Sequence, residues 1–228
     1  MANSNILRGA TGATAAAATA AAAAPGTHLG LRDVLGEPAW HRLPAAVRAR
    51  FSEPVLAVDY VGEFDVVRAS PLGRAIAWVC QAIGTPVVPR TGRNVTAIIH
   101  VGPVSKGASW LREYHWPRGD THKVHSTKVI GPDGTLTEEL PARLRMPLDV
   151  YERHGVLHFV SKGYYFDIGF GLKIHLPGWL SPGTTHVEHI DEAEGWFRFT
   201  MTVTHPVLGE VFYQTGRFRA AKAQGDRP

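Results

Sequence analysis

The fold is decided by residues 195–219, which read GWFRFTMTVTHPVLGEVFYQTGRFR. Two runs rich in valine, threonine and aromatic residues, 195–205 and 208–219, flank the connection that contains Pro206 and Gly209. Side chains of these types are typical of β-strands, and proline and glycine at such a connection are typical of a turn. The stretch therefore predicts two strands joined as a hairpin.

Segments of the same kind follow one another from residue 92 onward. Each is rich in Val, Ile, Thr or aromatic residues and is bounded by Gly, Pro or Asp-Gly, as at the tight turn 131–134. The other predicted strands are 93–102, 108–116, 122–130, 136–150, 155–162, 164–176 and 184–190. Because no helix separates them, the sheet is expected to be antiparallel, and a sheet this long curls instead of staying flat. We predict a curved antiparallel sheet that closes into a barrel or half-barrel, lipocalin-like or START-like.

Helices are predicted only before residue 92. Leu31–Phe51 has apolar residues at helical spacing but contains two prolines, which predicts short helices. Alternation over 54–68 predicts a strand with one wet face. Ser70-Pro71 at one end and Gly84 at the other predict one well-formed helix at about 71–83, covering one end or the concave side of the sheet. The fold class is mainly β, within α+β.

The composition predicts one folded domain. The chain has 228 residues, of which 44% are hydrophobic and 19% charged, and such a composition is typical of a globular protein. We expect a disordered Ala/Thr-rich leader at 1–28, a single β-rich domain at 29–220 and a flexible tail at 221–228. The leader lacks the strongly apolar centre of a secretory signal, so we expect a soluble, cytoplasmic protein.

The charge distribution and several missing motifs exclude classes of function. The net charge of +4 comes from the two ends of the chain, since residues 9–216 sum to zero, and a neutral body does not favour nucleic-acid binding. The single cysteine, Cys80, excludes an internal disulfide framework. The sequence contains no apolar segment long enough to predict a membrane span. It also lacks the GxSxG, HExxH and phosphate-loop motifs.

Several short motifs occur in a fixed order along the chain. They are Leu43-Pro44, Gly84-Thr-Pro86, Trp110-Leu-Arg112-Glu-Tyr114, Ser126, Leu176-Pro177, Phe197 with Phe199, Pro206, Gly209 and Tyr213-Gln-Thr-Gly216. This order resembles a bacterial family known as domain of unknown function 4166, over most of residues 31–219. Members of that family are often joined to a nucleotide-binding module similar to saccharopine dehydrogenase, which implies an oxidoreductase partner as one option. The resemblance implies a β-rich domain and supplies no catalytic residues, and this chain has no GxGxxG motif of its own.

The predicted strand 108–116 carries the most informative candidate site. Trp110, Arg112, Tyr114 and Trp116 alternate along it and therefore share one face. If that face points inward, Arg112 needs either a ligand anion or a carboxylate from another strand, because an unpaired buried charge is very costly. Carboxylates that could pair with it are Glu139, Asp149 and Glu188.

Tyrosines and a histidine near the end of the chain supply further candidates. Tyr164 and Tyr165 are adjacent, so one of them should face inward with a hydroxyl that needs a partner, and Tyr213 is another phenol in the last strand. We predict Arg112, Tyr164, His175 and Tyr213 as the catalytic set, should the protein be an enzyme. The predicted ligand-binding residues are Trp110, Tyr114, Trp116, Tyr165, Phe197 and Phe199.

One histidine cluster contains residue types that can bind a metal ion. His186 and Glu188 share one face of the predicted strand 184–190 and His189 points to the other. Together with His175, the residues His186 and Glu188 would form a set of two histidines and one carboxylate. No other ligand spacing in the sequence supports a metal site. We expect a polar outer face here, with no metal and no cofactor.

Three functions remain open from the sequence. The first is binding of a largely apolar small molecule, such as a lipid, an isoprenoid or a polyketide-like compound, in the barrel cavity. The second is a cofactor-independent cyclase or isomerase of natural-product biosynthesis that uses the same cavity. The third is an accessory module that docks on an oxidoreductase. Convergence of the predicted catalytic side chains in one pocket would favour the enzyme, and their dispersal would favour binding.

Overall fold

The computed structural model describes residues 29–81, 88–117, 119–131 and 133–221. Its helices are α1 (Leu31–Leu35), α2 (Glu37–Arg42), α3 (Ala45–Arg50) and α4 (Pro71–Gln81). Its strands are β1 (Val58–Ala69), β2 (Gly92–Val104), β3 (Gly107–His115), β4 (Thr121–Ile130), β5 (Leu136–Glu139), β6 (Leu144–Arg153), β7 (Val156–Ser161), β8 (Tyr165–Gly169), β9 (Leu172–His175), β10 (Thr184–Glu192), β11 (Trp196–His205) and β12 (Gly209–Ala220). The expected leader and most of the expected tail lie outside the described residues.

Ten of the described strands close a barrel in which every pair of neighbours is antiparallel. Their order around the barrel is β5-β4-β3-β2-β1-β12-β11-β10-β7-β6, and pairing between β5 and β6 closes it. The hairpin β8–β9 pairs only with the start of β6 and extends from the barrel. The predicted mainly β, barrel-forming fold is confirmed.

Two predicted strands are each interrupted in the structure. The segment 136–150 divides into β5 and β6 at a short 3-10 turn over Pro141–Arg143, where Ala142 and Arg143 have positive φ angles of 54° and 60°. The segment 164–176 divides into β8 and β9 at Phe170, which has a φ of 53° between two glycines that also have positive φ. Neither interruption was visible in the sequence pattern, because alanine, arginine and phenylalanine rarely adopt this conformation.

The long helix begins where the sequence predicted. The Ser70 hydroxyl accepts a hydrogen bond of 2.9 Å from the Gly73 amide, which caps the first turn of α4. The helix packs on β12 and β1 at one end of the barrel, and buries Ala77 there. Its predicted end at Gly84 lies outside the described residues. No helix in the described ranges has both the length and the apolar character needed to cross a membrane.

The two ends of the barrel are filled differently. At the α4 end the interior is solid: Phe64 stacks on Tyr114 with ring centroids 5.0 Å apart and meets Phe218 edge-on at the same distance. Gly216 of β12 lies here against the Glu63 carbonyl, where a Cβ atom would have no room, so two strands pass each other closely. At the opposite end the short helices cover the barrel, with α1 and α2 on β6 and α3 on β10.

Candidate functional site

A small, mostly apolar cavity lies inside the barrel at the end covered by the short helices. Its volume is about 70 Å³, several times the roughly 15 Å³ that one water molecule needs. Phe51, just after α3, closes the cavity at the mouth of the barrel. The centroid of its ring lies 5.9 Å from that of Phe159 and 5.0 Å from that of His189. Its walls are formed by Tyr60, Ile99, Val101, Trp110, Arg112, Lys128, Glu138, Met146, Leu148, Phe159, Thr185, Val187, His189, Phe197, Phe199 and Met201.

Three charged side chains line this cavity and come from adjacent strands. Lys128 on β4 is directly opposite Glu138 on β5, and its ammonium nitrogen lies 3.2 Å from a Glu138 carboxylate oxygen. Arg112 on β3 lies beside them and donates from Nη1 to the Ser126 hydroxyl at 3.4 Å. All three are almost fully buried, with exposed fractions of 7% for Arg112, 7% for Lys128 and 5% for Glu138.

Aromatic rings contact the two cations. The Lys128 ammonium lies 4.4 Å from the centroid of the Trp110 ring, and the Arg112 guanidinium lies 5.9 Å from that of Phe199. Such contacts stabilise a cation by about 0.5 to 2 kcal/mol, which is less than the cost of burying an unpaired charge. The rings therefore assist the cations without neutralising them.

The pKa values of both members of the ion pair are lowered, for different reasons. Burial lowers the pKa of Lys128, and repulsion from Arg112 adds to this effect while attraction to Glu138 opposes it. Burial acts to raise the pKa of Glu138, but Lys128, Arg112 and Ser126 together bring that pKa below its ordinary value. The fall at Lys128 is therefore an effect of burial, whereas the fall at Glu138 is mainly an effect of its two cationic neighbours.

His189 supplies a neutral polar group to the same cavity. Burial, with repulsion from Arg50 and then Lys128, lowers its pKa to about 3, so the imidazole is uncharged at neutral pH. Its Nδ1 atom has no hydrogen-bond partner among the described residues. Arg50 pairs at 2.5 Å with Asp191 at the edge of the barrel, so this cation is balanced locally. His189 therefore offers a hydrogen bond and no charge to a molecule in the cavity.

The structure brings four of the predicted site residues together. Trp110, Arg112, Phe197 and Phe199 all line the cavity. Tyr114 follows Arg112 on the same face of β3 but lies deeper, within the solid half of the barrel. There its hydroxyl donates to Gln214 Oε1 at 3.1 Å.

The other predicted site residues lie elsewhere. The Tyr164 hydroxyl shares a hydrogen bond of 2.9 Å with Thr185, so it supports a wall of the cavity from behind. Tyr165 contacts His175, with ring centroids 5.4 Å apart, on the β8–β9 hairpin.

Tyr213 and Trp116 are also separate from the cavity lining. Tyr213 lies beneath Arg68, with the guanidinium 5.1 Å from its ring centroid, and Trp116 lies beneath Arg90 at 5.6 Å. Of the predicted catalytic set, only Arg112 lines the cavity. Tyr164, His175 and Tyr213 do not converge on it.

The partners suggested for Arg112 do not reach it. Glu139 pairs with Arg145 and Asp149 with Lys162, while Glu188 lies next to His158. The buried carboxylate is instead Glu138, one position earlier than Glu139 on the opposite face of β5. In the sequence, the alternation of Glu138 with Leu136 indicated that these two residues share a face. Which face of such a short strand points inward depends on the turn that follows it.

Sequence reasoning missed other lining residues and one neighbour. Lys128 lies on a strand that was predicted, but its inward orientation was not assigned, whereas Tyr60 lies on the dry face that the alternation over 54–68 predicts. The suggested grouping of His175 with His186 and Glu188 is not present, since the structure places His158 beside those two residues instead. The sequence did not indicate His158 as their neighbour, because β7 and β10 are separated in sequence by the β8–β9 hairpin.

Comparisons with known proteins give one match. The family model described as "Domain of unknown function (DUF4166)" matches residues 43–218. No curated protein matches the chain, and no solved structure matches it. The match covers all strands of the barrel except the last two residues of β12, and it leaves the chemistry of the cavity to be inferred from its own residues.

Proposed function

Because this chain belongs to the DUF4166 family, whose description names no activity, we propose a function from the cavity itself. The protein binds a small molecule that has an apolar body and an anionic group, such as a carboxylate. The apolar walls take the body of the molecule, and Arg112 with Lys128 takes the anion.

The charge balance of the cavity carries this proposal. Its lining holds two cations, Arg112 and Lys128, and one anion, Glu138, while His189 is neutral. Glu138 is in salt-bridge contact with Lys128, and no ion pair within 4.0 Å joins Arg112 to a carboxylate among the described residues. A buried cation without an anion costs several kcal/mol. An anionic ligand beside Arg112 would remove that cost.

The hydrogen-bond inventory of Arg112 supports the same conclusion. A guanidinium has five N–H donors in a planar fork that matches a carboxylate with two parallel bonds. Among the described residues, one bond of 3.4 Å to the Ser126 hydroxyl is the only hydrogen bond that Arg112 donates. The remaining donors are available to a ligand within the cavity.

The size and position of the Phe51 side chain limit the length of a ligand that can enter the cavity. A second cavity of about 70 Å³ lies on the other side of it, and the two cavities share Phe51, Tyr60, Val101 and Trp110 as walls. Each space alone holds only a short apolar group. Rotation of the Phe51 ring would join them, so we propose that this residue moves when a longer ligand binds.

Mass spectrometry tests the proposal without assuming a ligand. Untagged protein is purified from its own host and weighed under native conditions, and the bound compound is then released and analysed in both positive-ion and negative-ion modes. The proposal predicts a stoichiometric compound that has an apolar body and ionises as an anion. Recovery of a neutral or cationic compound at this stoichiometry would overturn it.

A further inference from the structure

A second group of chemically active side chains lies on the outer surface of the barrel. It comprises His158 on β7 with His186 and Glu188 on β10. Glu188 is directly opposite His158 in the register of these strands, and His186 is two residues before it on the same face. The neighbours Leu157 and Phe159 point into the barrel core, so His158 points outward.

The separations within this group match those of a metal site. His158 Nδ1 lies 3.0 Å from His186 Nε2 and 3.6 Å from Glu188 Oε1. One ligand atom from each residue lies within 4.8 Å of the other two. Tetrahedral zinc with bonds of about 2.0 to 2.1 Å places its ligand atoms roughly 3.3 Å apart. Only small side-chain adjustments are needed for one ion to contact all three residues.

The histidine at the centre of the group is held in place before any ion binds. The ring of Tyr151 stacks on His158, with centroids 4.7 Å apart and planes 16° apart. The side chain of His158 is also only 8% exposed, so its ring has little room to turn.

We propose that His158, His186 and Glu188 bind one divalent transition-metal ion, with zinc as the best match. Two imidazoles and one carboxylate suit zinc, and three protein ligands leave a fourth position open to water or to a group from outside the chain. The site is independent of the cavity, because its side chains lie on the opposite face of the barrel wall.

The ion would connect two strands that pair with each other over a short stretch. β7 and β10 pair through four residue pairs, and the β8–β9 hairpin is inserted between them in the sequence. A metal bridge between His158 and the two ligands of β10 would resist separation of the barrel at this position. Metal binding to the folded state alone would also raise the unfolding temperature.

A metal-free hydrogen-bond chain is the competing explanation. A proton between the two imidazole nitrogens accounts for their 3.0 Å separation, with Glu188 as a further acceptor. This arrangement needs no ion and predicts that added zinc leaves the protein unchanged.

The test uses the full chain purified without a histidine tag and dialysed against a chelator. Zinc is titrated in a calorimeter, and cobalt is titrated with visible absorption because tetrahedral cobalt has strong bands. We expect one ion per chain and a higher unfolding temperature. His186→Ala and Glu188→Gln, both at partly exposed positions, should each weaken binding at least about tenfold, as loss of a ligand or of its supporting contacts does.

A matched control is available on another part of the outer surface. His100 lies 2.7 Å from Asp59 and 3.9 Å from Glu113, so it is also an imidazole beside carboxylates. His100→Ala should leave zinc affinity unchanged. Failure of the wild type to bind stoichiometric zinc would overturn the proposal, and so would His186→Ala binding with wild-type affinity.

Discussion

Lys128 and Glu138 face each other directly across β4 and β5 inside the barrel, with the ammonium nitrogen 3.2 Å from the carboxylate. Arg112 lies beside this pair on β3, so the group holds two cationic side chains and one anionic side chain. A buried excess of one positive charge costs several kcal/mol, so an added anion would stabilise this group. The chemistry of the cavity depends on this imbalance.

Arg112→Met should leave the protein as stable as the wild type or more stable. Methionine keeps much of the volume and removes a buried charge that forms no salt bridge within 4.0 Å among the described residues, and burial of such a charge costs several kcal/mol. Urea unfolding measures the change. If Arg112 were needed to hold the strands together, the same variant would lose about 3 kcal/mol, and that result would contradict the account.

Glu138→Gln should destabilise the protein by about 3 kcal/mol. The change leaves Lys128 and Arg112 buried without an anion, and removal of one partner from a buried pair is strongly destabilising. Glu139→Gln is the matched control, since Glu139 pairs with Arg145 at a partly exposed position and should change stability by less than about 1 kcal/mol. Equal effects of the two substitutions in urea unfolding would refute the assigned role of Glu138.

His189 should make folding stability depend on pH between about 6.5 and 3. Its pKa is about 3 in the folded protein, against an ordinary value of 6.5, because of burial and the cations Arg50 and Lys128. As the pH falls through this range the unfolded chain takes up a proton that the folded chain does not. Stability therefore falls with pH, by roughly 1.4 kcal/mol per pH unit at most.

The variant His189→Gln isolates this contribution. Unfolding by urea at pH 7 and pH 5 should show a smaller loss of stability on acidification than the wild type shows. His125→Gln, at an exposed position on β4, should retain the wild-type dependence. An unchanged pH dependence in His189→Gln would mean that the imidazole is not buried in its neutral form.

Phe51→Ala should widen the range of ligands at a cost in stability. Removal of the ring joins the two cavities that it separates, so acids with longer chains should bind more tightly relative to short ones. Loss of a large aromatic contact should lower the free energy of unfolding by about 2 to 3 kcal/mol. Calorimetric titration with straight-chain carboxylates of increasing length checks the first effect, and an unchanged length preference would exclude Phe51 as the barrier.

Much of the barrel could be predicted from local pattern. Most of the strands follow runs of Val, Ile, Thr and aromatic residues, and the Ser70 cap marks the beginning of α4. Whether the sheet closes fully or stops at a half-barrel could not be predicted. It depends on β5 turning back to β6 through positive φ angles at Ala142 and Arg143, and neither residue type signals such a turn.

The candidate site was only partly visible for a related reason. The alternation along β3 placed Trp110 and Arg112 on one face, and both line the cavity. The identity of the buried carboxylate depends on whether Glu138 or Glu139 faces inward, and a strand of four residues does not decide this by pattern alone. His158 and His186 become neighbours only through the pairing of β7 with β10, which is not local in sequence.

The most direct test of the central claim compares matched ligands in a calorimeter. Straight-chain carboxylates are titrated against alcohols of the same length, with the wild type, Arg112→Met and the control Arg93→Met, an exposed arginine on β2. The account predicts that the wild type and Arg93→Met prefer the carboxylate, and that Arg112→Met loses at least about tenfold in affinity for it. Equal affinity of the wild type for acid and alcohol, or full carboxylate affinity in Arg112→Met, would contradict it.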